Sequence, residues 1–286
     1  CNLATAFLPN IESLKQFREI SRLLYKTQKQ VTQLDYPYEK TTEMVRKNLR
    51  LGQSVTGVLQ ASKKQLSWLP IVYEYLESLD RVESEKMGLP TSVRLTTVQP
   101  SGTLSLLPGV TPGIHPAYAR YYIRRVRFRS TDPLVGACRQ RGYRVQYDVG
   151  LDGREDHKTY VVEFPCQSPD GATLAADLTA VDQLEWVKRV QTDWADNCVS
   201  VTVYYRPEEL SDIQEWLRKN YTKSIKSVSF LLHRDHNFPL PPYEECTEKE
   251  YLATLSKIDL SVPLVQDNGH HAVLVDDCDS GACPIR

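Results

Sequence analysis

The sequence predicts an α/β protein, because apolar residues recur with two different periods along the chain. Over roughly the first ninety residues they recur at helical spacing, and from about residue 90 to 232 helical segments alternate with strand-like ones. Such alternation favours a sheet with at least some parallel strands, since a helix is the usual connection between parallel neighbours. A chain of 286 residues suffices for one large domain or two small ones.

The amino-terminal part is predicted to be helical. Apolar residues in the first segment lie close to a 3.6-residue period, and Asn10 is the expected N-cap. Gly88 is expected to end the last helix of this part, with a proline shortly after it. The predicted helices are 11–34, 38–51, a short one at 53–62, and 68–87.

Strands are predicted between further helices in the second part. The predicted strands are 92–98, 121–129, 143–147, 160–164, 199–205 and 227–232, and the helices are 132–141, 174–196 and 207–219. Residues 109–116 are too rich in proline and glycine for regular structure. After His233, prolines and acidic residues dominate, which predicts extended segments and loops.

Composition and charge exclude several classes of partner. The net charge is -1, which gives no broad electrostatic reason to bind nucleic acid or an anionic membrane. No apolar run approaches the roughly 20 residues that a membrane span needs. The seven cysteines are dispersed, which does not fit a secreted disulfide framework and favours a reducing cytoplasm. Cys138, Cys166 and Cys198 are expected to be buried, reduced thiols.

Two cysteines near the carboxyl terminus, Cys278 and Cys283, could exchange a disulfide. A glycine lies between them, and chain ends are usually mobile, so such a pair could reach a buried site and return to solvent. The alternative is a disordered tail with incidental cysteines. A zinc site with His270 and His271 is less favoured, because zinc sites use tighter cysteine pairs. We therefore divide the chain into a domain at 1–262 and a redox tail at 263–286.

The loop at 100–105 is a candidate phosphate site. It follows a predicted strand and combines hydroxyl side chains with backbone N–H groups that are unhindered at Gly102. Several such dipoles can converge on one anion. No Gly-Lys-Ser/Thr sequence follows, so this is not a Walker loop, and a plain turn remains the alternative.

Four stretches together resemble ribonucleotide reductase. They are Cys1-Asn-Leu, the loop Pro100-Ser-Gly-Thr-Leu-Ser with the following Gly109-Val-Thr-Pro-Gly-Ile-His-Pro, the segment Asp196-Asn-Cys-Val-Ser-Val-Thr, and the tail Cys278-Asp-Ser-Gly-Ala-Cys-Pro-Ile. The fuller stretch 109–125 resembles the monomeric adenosylcobalamin-dependent ribonucleoside-triphosphate reductases. The similarity runs over nearly the whole chain.

The resemblance implies a fold and a set of roles. The fold would be the carboxyl-terminal part of a ten-stranded α/β barrel with a helical amino-terminal segment. Cys1 would be one of the two cysteines that reduce the ribose, and Cys278 with Cys283 would re-reduce them and be reduced by thioredoxin. Adenosylcobalamin would be the cofactor and a ribonucleoside triphosphate the substrate. The residues implied to bind substrate phosphate are Ser101, Gly102, Thr103, Leu104 and Ser105.

One departure from the family pattern is as informative. The segment Asn-Pro-Cys-Gly-Glu, which carries the family's radical cysteine, does not occur in this sequence. The resemblance therefore implies a carboxyl-terminal portion that is inactive and poorly soluble alone, completed by another polypeptide or by ligation such as intein splicing. Two alternatives remain open. One is the large subunit of a diiron-dependent reductase, and the other is a non-enzymatic binding module whose tail is a redox switch.

Overall fold

The computed structural model describes residues 2–233 and 239–263, apart from the side chain of Thr103. The strands are β1 (Asn2–Phe7), β2 (Leu51–Thr56), β3 (Thr96–Thr97), β4 (Tyr121–Arg129), β5 (Arg144–Val149), β6 (Glu155–Gln167), β7 (Thr202–Tyr205), β8 (Ser229–Leu232) and β9 (Tyr243–Glu245). The helices are α1 (Leu14–Val31), α2 (Glu39–Asn48), α3 (Lys63–Leu66), α4 (Trp68–Met87), α5 (Gly102–Leu106), α6 (Pro133–Gln140), α7 (Ala180–Asp193), α8 (Leu210–Ser224) and α9 (Glu248–Leu255). The predicted α/β class is confirmed.

Two predictions for the amino-terminal part are wrong. The segment predicted as a short helix at 53–62 begins with the last four residues of β2, whose six residues are all buried, and continues into a 3-10 turn at Val58–Gln60. Asn10 does not cap α1; Ser13 does, since its side chain accepts a hydrogen bond from the Gln16 amide. Asn10 lies in a preceding 3-10 turn. By contrast, α4 has the predicted bounds, and Gly88 ends it in the left-handed conformation.

The region after His233 contains more regular structure than its composition predicts. Helix α9 lies in a stretch expected to form only extended segments and loops, whereas strand β9 agrees with the expected extended structure. The Thr247 side chain caps α9 by accepting a hydrogen bond from the Glu250 amide, and the Glu250 carboxylate accepts one from the Thr247 amide. This reciprocal capping box is a helix start signal that acidic composition obscured.

The described residues form two compact units, and the first contains a row of parallel strands. It comprises the described residues of Cys1–Ala117 and Ser168–Asp235. β1 pairs with β2, and β2 with β3, all parallel. A parallel bridge joins Val98, just after β3, to Val199, just before β7, and β7 pairs in parallel with β8. The order is therefore β1-β2-β3-β7-β8, and within the described residues this row does not close into a barrel.

One face of this row is covered by helices. Ala6 of β1, Val55 of β2 and Val98 belong to one hydrophobic cluster with buried residues of α1, α4, α7 and α8. Phe17 of α1 and Trp194, just after α7, stack with ring centroids 5.9 Å apart. Since successive strand side chains point to opposite faces, residues one position away from this apolar set point away from the helices. That second face carries the candidate site.

A buried ion pair joins α1 to α4. Lys29 Nζ lies 2.8 Å from Asp80 Oδ1, and both side chains are almost fully buried. Burial acts to raise the pKa of Asp80, but hydrogen bonds from Lys29, the Ser92 amide and Tyr25 outweigh it, so this pKa lies below its ordinary value. The carboxylate is therefore charged and fully bonded, which a buried charge requires.

The chain leaves the first unit at Ala117 and returns to it at Ser168. Within the first unit, the Ala117 amide donates to the Thr173 carbonyl at 2.9 Å and the Ala175 amide donates to the Ala117 carbonyl at 2.8 Å. The departing and returning backbones are therefore held side by side.

The second unit is built on an antiparallel sheet. It comprises the described residues of Tyr118–Gln167 and His236–Arg286, with strand order β5-β6-β4-β9. Arg125 of β4 binds Glu163 of β6 at 3.0 Å in a largely buried ion pair, and also binds Glu244 of β9 at 2.5 Å. These pairs link the three neighbouring strands. No helix among the described residues is long and apolar enough to cross a membrane.

Candidate functional site

The sheet face that points away from the helices is polar near the carboxyl ends of its strands. Thr5, Ser54 and Thr56 share this face, because they alternate with the apolar residues of β1 and β2. Gln99, two residues beyond β3, donates through its side-chain amide to Thr5 Oγ1, and its backbone amide donates to Ser54 Oγ at 3.0 Å. Ligands of parallel sheets bind at this end of the strands, so this is the expected place for a site.

Ser101 lies at the centre of this region in an unusual backbone conformation. Its φ is +47° and its ψ is 8°, in the left-handed region that residues other than glycine rarely adopt. Its Oγ lies 2.5 Å from Thr56 Oγ1 and accepts a hydrogen bond from the Gly113 amide at 3.0 Å. The predicted phosphate loop is therefore joined to the end of β2 through a pair of hydroxyls.

The remaining predicted loop residues form the single turn of α5. Ser105 is fully buried, its amide donates to the Ser101 carbonyl at 2.9 Å, and its hydroxyl donates to the Gly102 carbonyl at 2.7 Å. The Ser105 hydroxyl thus holds the turn together rather than pointing outward. An alanine Cβ built at Gly102 would meet nothing within 4 Å, and Leu104 is half-exposed. Backbone N–H groups of a first helical turn have no intrahelical acceptor, so this turn offers amides to an anion.

The proline- and glycine-rich segment 109–116 is hydrogen-bonded to the residues that follow β2. The Gly57 amide donates to the Thr111 carbonyl at 2.9 Å, and the Val58 amide donates to the Gly113 carbonyl at 3.1 Å. Gly113 has φ +57°, and a Cβ there would lie 2.6 Å from the Gln99 carbonyl oxygen. Only glycine fits this position, since both the backbone conformation and the contact exclude a side chain.

His115 connects the same segment to β7. Its Nδ1 lies 3.1 Å from the Pro112 carbonyl, and its Nε2 lies 3.1 Å from the Thr202 amide nitrogen. Because an amide only donates and a carbonyl only accepts, Nε2 is unprotonated and Nδ1 carries the proton. Burial lowers the pKa of His115, although its bond to Pro112 opposes this. The neutral ring therefore ties the segment to the strand row.

The structure places only some of the site residues predicted from the sequence close together. It brings Ser101, Gly102, Leu104 and Ser105 together, with the backbone of Thr103 in the same turn. Cys1, Cys278 and Cys283 lie outside the described residues. Sequence reasoning missed Thr56, Gly113 and His115 as parts of the site; the available signals were a hydroxyl residue at the end of a strand and a histidine inside a proline-glycine motif.

The four described cysteines are free. Cys138 is buried as predicted, whereas Cys166 and Cys198 are only partly buried, so the prediction of full burial is wrong for these two. Burial raises the pKa of the Cys138 and Cys166 thiols. A raised pKa disfavours the thiolate, which is the reactive form of a cysteine.

Comparison with known proteins decides the family. A family model described as the barrel domain of ribonucleotide reductase matches residues 73–231, which is more than half of the chain. The chain belongs to the ribonucleotide reductase family. The matched region of this reductase chain includes β3, the turn at Ser101, the 109–116 segment and β7.

Several curated relatives carry a more specific name. Proteins named adenosylcobalamin-dependent ribonucleoside-triphosphate reductase are 33% identical in Levilactobacillus brevis and 31% identical in Euglena gracilis. These alignments cover 100% and 99% of this reductase chain but 43% and 40% of the relatives. The chain thus spans less than half the length of the curated relatives that it matches.

A solved structure supports the same family at the level of the fold. The crystal structure of a B12-dependent, class II ribonucleotide reductase matches this reductase chain with a TM-score of 0.73 and 26% sequence identity. The match covers 90% of this chain and 40% of the other. The predicted resemblance to the cobalamin type is confirmed.

Proposed function

We propose that this chain supplies the substrate-phosphate loop and the reducing thiols of an adenosylcobalamin-dependent ribonucleotide reductase, which converts ribonucleoside triphosphates into 2′-deoxyribonucleotides. The observation that carries the proposal is a polar cluster at the carboxyl ends of β2 and β3, in which Thr56, Ser101 and Gly113 are hydrogen-bonded. The curated relatives in Levilactobacillus brevis and Euglena gracilis are named for this activity.

This polar cluster, with the turn that follows Ser101, suits a phosphate group for two reasons. The turn at Gly102–Leu106 presents backbone N–H groups, and hydroxyls lie beside it. In addition, the side chain of Ser101 is held by Thr56 of β2 and by the Gly113 amide, and the Ser105 hydroxyl donates to the Gly102 carbonyl within the turn. A preorganised set of dipoles loses little entropy on binding an anion, which favours both affinity and a fixed position for the attached ribose.

Reduction of the 2′-carbon requires two electrons and releases the 2′-hydroxyl as water. We propose that Cys1 and a second cysteine, outside this chain, give these electrons and become a disulfide. Cys278 and Cys283 then reduce that disulfide by thiol–disulfide exchange and are oxidised in turn. Thioredoxin, a dithiol protein, reduces the tail pair again.

Neither of two cavities among the described residues is large enough to enclose a corrin. These cavities, of about 400 and 480 Å³, lie within the size range of drug-sized ligands, and a corrin with its adenosyl group is larger than these. We therefore assign no residue of this chain to the cofactor. When bound, adenosylcobalamin supplies a radical through cleavage of its cobalt–carbon bond.

The alternatives are less well supported. A diiron-dependent large subunit would share the cysteine motifs, but the curated relatives reported above carry the adenosylcobalamin-dependent name, and the matching crystal structure is of the B12-dependent class. A non-enzymatic binding module is disfavoured by membership of an enzyme family across residues 73–231.

The test is turnover by the complete reductase that contains this chain. We expect ribonucleoside triphosphate reduction that depends on adenosylcobalamin, and no reduction by the chain alone. Cys278→Ser with Cys283→Ser should abolish turnover with thioredoxin while a small dithiol still supports it. Cys246→Ser, which alters a thiol outside the tail, is the matched control and should retain activity. Cobalamin-independent reduction, or unchanged turnover of the tail variant with thioredoxin, would contradict the proposal.

A further inference from the structure

Thr56 is a fully buried residue whose hydroxyl has three neighbours. It ends β2, and its Oγ1 lies 2.5 Å from Ser101 Oγ. It also accepts from the Gly113 amide at 2.7 Å and lies 3.1 Å from the Thr111 carbonyl oxygen. The same Gly113 amide donates to Ser101 Oγ at 3.0 Å. The two hydroxyls therefore touch each other and share one amide donor.

These contacts limit the directions of the two hydroxyl protons. A carbonyl only accepts and an amide only donates, whereas a hydroxyl has a single proton. When Thr56 donates to the Thr111 carbonyl, the 2.5 Å contact uses the proton of Ser101, which then points inward. When Thr56 donates to Ser101 instead, the Ser101 proton is free to point at a ligand. The Thr111 carbonyl stays bonded in both cases, because the Gly57 amide donates to it at 2.9 Å.

We propose that Thr56 is a positioning residue for the phosphate loop. By turning its hydroxyl from Thr111 to Ser101, it allows Ser101 to donate to a substrate phosphate while the contact between the two side chains persists. Two O–H groups rotate, and no covalent bond forms or breaks. Bonds from a hydroxyl to an anion are stronger than those between neutral groups, so a phosphate oxygen favours the outward direction. This inference rests on the proposed function, since it assigns a role within the same site.

The backbone of Ser101 gives the Thr56 hydroxyl a second effect. Ser101 holds a left-handed conformation that residues other than glycine rarely adopt, and its side chain is fastened by Thr56 and by the Gly113 amide. Removal of the Thr56 hydroxyl leaves one of these two attachments. The loop would then spend less time in the conformation that presents its amides and hydroxyl to one anion.

The test compares Thr56→Val, which keeps the shape of the side chain, with Thr56→Ser, which keeps the hydroxyl. In the complete reductase we expect Thr56→Val to raise KM and the dissociation constant for the ribonucleoside triphosphate about tenfold, with kcat within about twofold. Thr56→Ser should restore values near those of the wild type. Thr97→Val is the matched control, because Thr97 shares this face and donates to the Cys198 carbonyl at 2.9 Å, away from the loop.

A second pair of variants separates positioning from folding. Ser101→Gly relieves the backbone strain but removes the donor, so we expect weaker nucleotide binding despite normal thermal unfolding. In the double variant Thr56→Val with Ser101→Gly, the two losses should not add, because both act through one donated proton. Wild-type affinity in Thr56→Val or in Ser101→Gly, or fully additive losses, would overturn the inference. Calorimetric binding that follows these expectations in a protein that reduces no nucleotide would instead contradict the proposed function alone.

Discussion

The ring of His115 should make the stability of this protein depend on pH in a defined direction. Its Nε2 accepts from the Thr202 amide, and burial lowers its pKa below the ordinary 6.5. As pH falls below about 6.5, the His115 imidazole becomes protonated in the unfolded state while it stays neutral in the folded state. The free energy of unfolding therefore falls with falling pH between the unfolded and folded pKa values, and His115 contributes no slope above that window.

The size of this effect is bounded by proton linkage. One proton taken up only by the unfolded state changes the free energy of unfolding by at most about 1.4 kcal/mol per pH unit. A glutamine at this position can still accept from the Thr202 amide but cannot titrate, so His115→Gln should lose this slope. A leucine leaves the Thr202 amide without its acceptor, which costs about 1–3 kcal/mol at any pH.

Urea unfolding at several values between pH 5 and 7.5 measures both effects. The difference between wild type and His115→Gln isolates this one group, because all other titrating residues are common to both proteins. We expect the stability of the wild type relative to the variant to decrease as pH falls below about 6.5. His157→Gln, at an exposed histidine of β6, is the control for the same substitution away from the 109–116 segment. A wild-type advantage over His115→Gln that stays constant across this range would refute the reasoning.

Two further substitutions test the site and the core. Gly113→Ala should destabilise the fold and raise the nucleotide KM, because its Cβ would lie 2.6 Å from the Gln99 carbonyl oxygen. Gly109→Ala is the control, since Gly109 also has a positive φ but a Cβ there would meet nothing within 4 Å. In urea unfolding, Gly109→Ala should show only the smaller conformational penalty of about 1 kcal/mol. Equal losses for both would show that the contact does not matter. Lys29→Met should cost about 3–5 kcal/mol, since it leaves the Asp80 charge buried, whereas Lys86→Met at an exposed pair should change little. A Lys29→Met protein as stable as wild type would contradict the electrostatic account.

The sequence predicted well those elements that have an apolar stripe and a recognisable end. α4 combines both, with apolar residues at helical spacing and Gly88 after its last residue. β2 has neither, because all six of its residues are buried and polar residues such as Gln53 and Ser54 lie among the apolar ones. A central parallel strand gives no alternation to read, so its identity depends on neighbours that are distant in sequence.

The same physical limit applies to the candidate site. The loop was found because glycine and hydroxyl residues follow a strand, which is local information. The direction of the Ser101 hydroxyl depends on Thr56, which lies 45 residues earlier, and its amide donor comes from a separate segment at Gly113. Spacing along the chain does not report such tertiary contacts. Ser105 is an example, since its place in the loop was predictable from the sequence but the bond from its hydroxyl to the Gly102 carbonyl was not.

The hydrogen bonds that join Ala117 to 173–175 have a consequence for how this protein can vary. They fix the chain on both sides of the fifty-residue excursion Tyr118–Gln167, whereas β4 of that excursion also pairs with β9, so the excursion cannot be exchanged as a whole. A change of length in an exposed turn of the excursion need not be transmitted to β2 and β3. Insertions in the exposed turn at 150–154, between β5 and β6, should therefore be accepted far more readily than any change in length between β3 and Ala117.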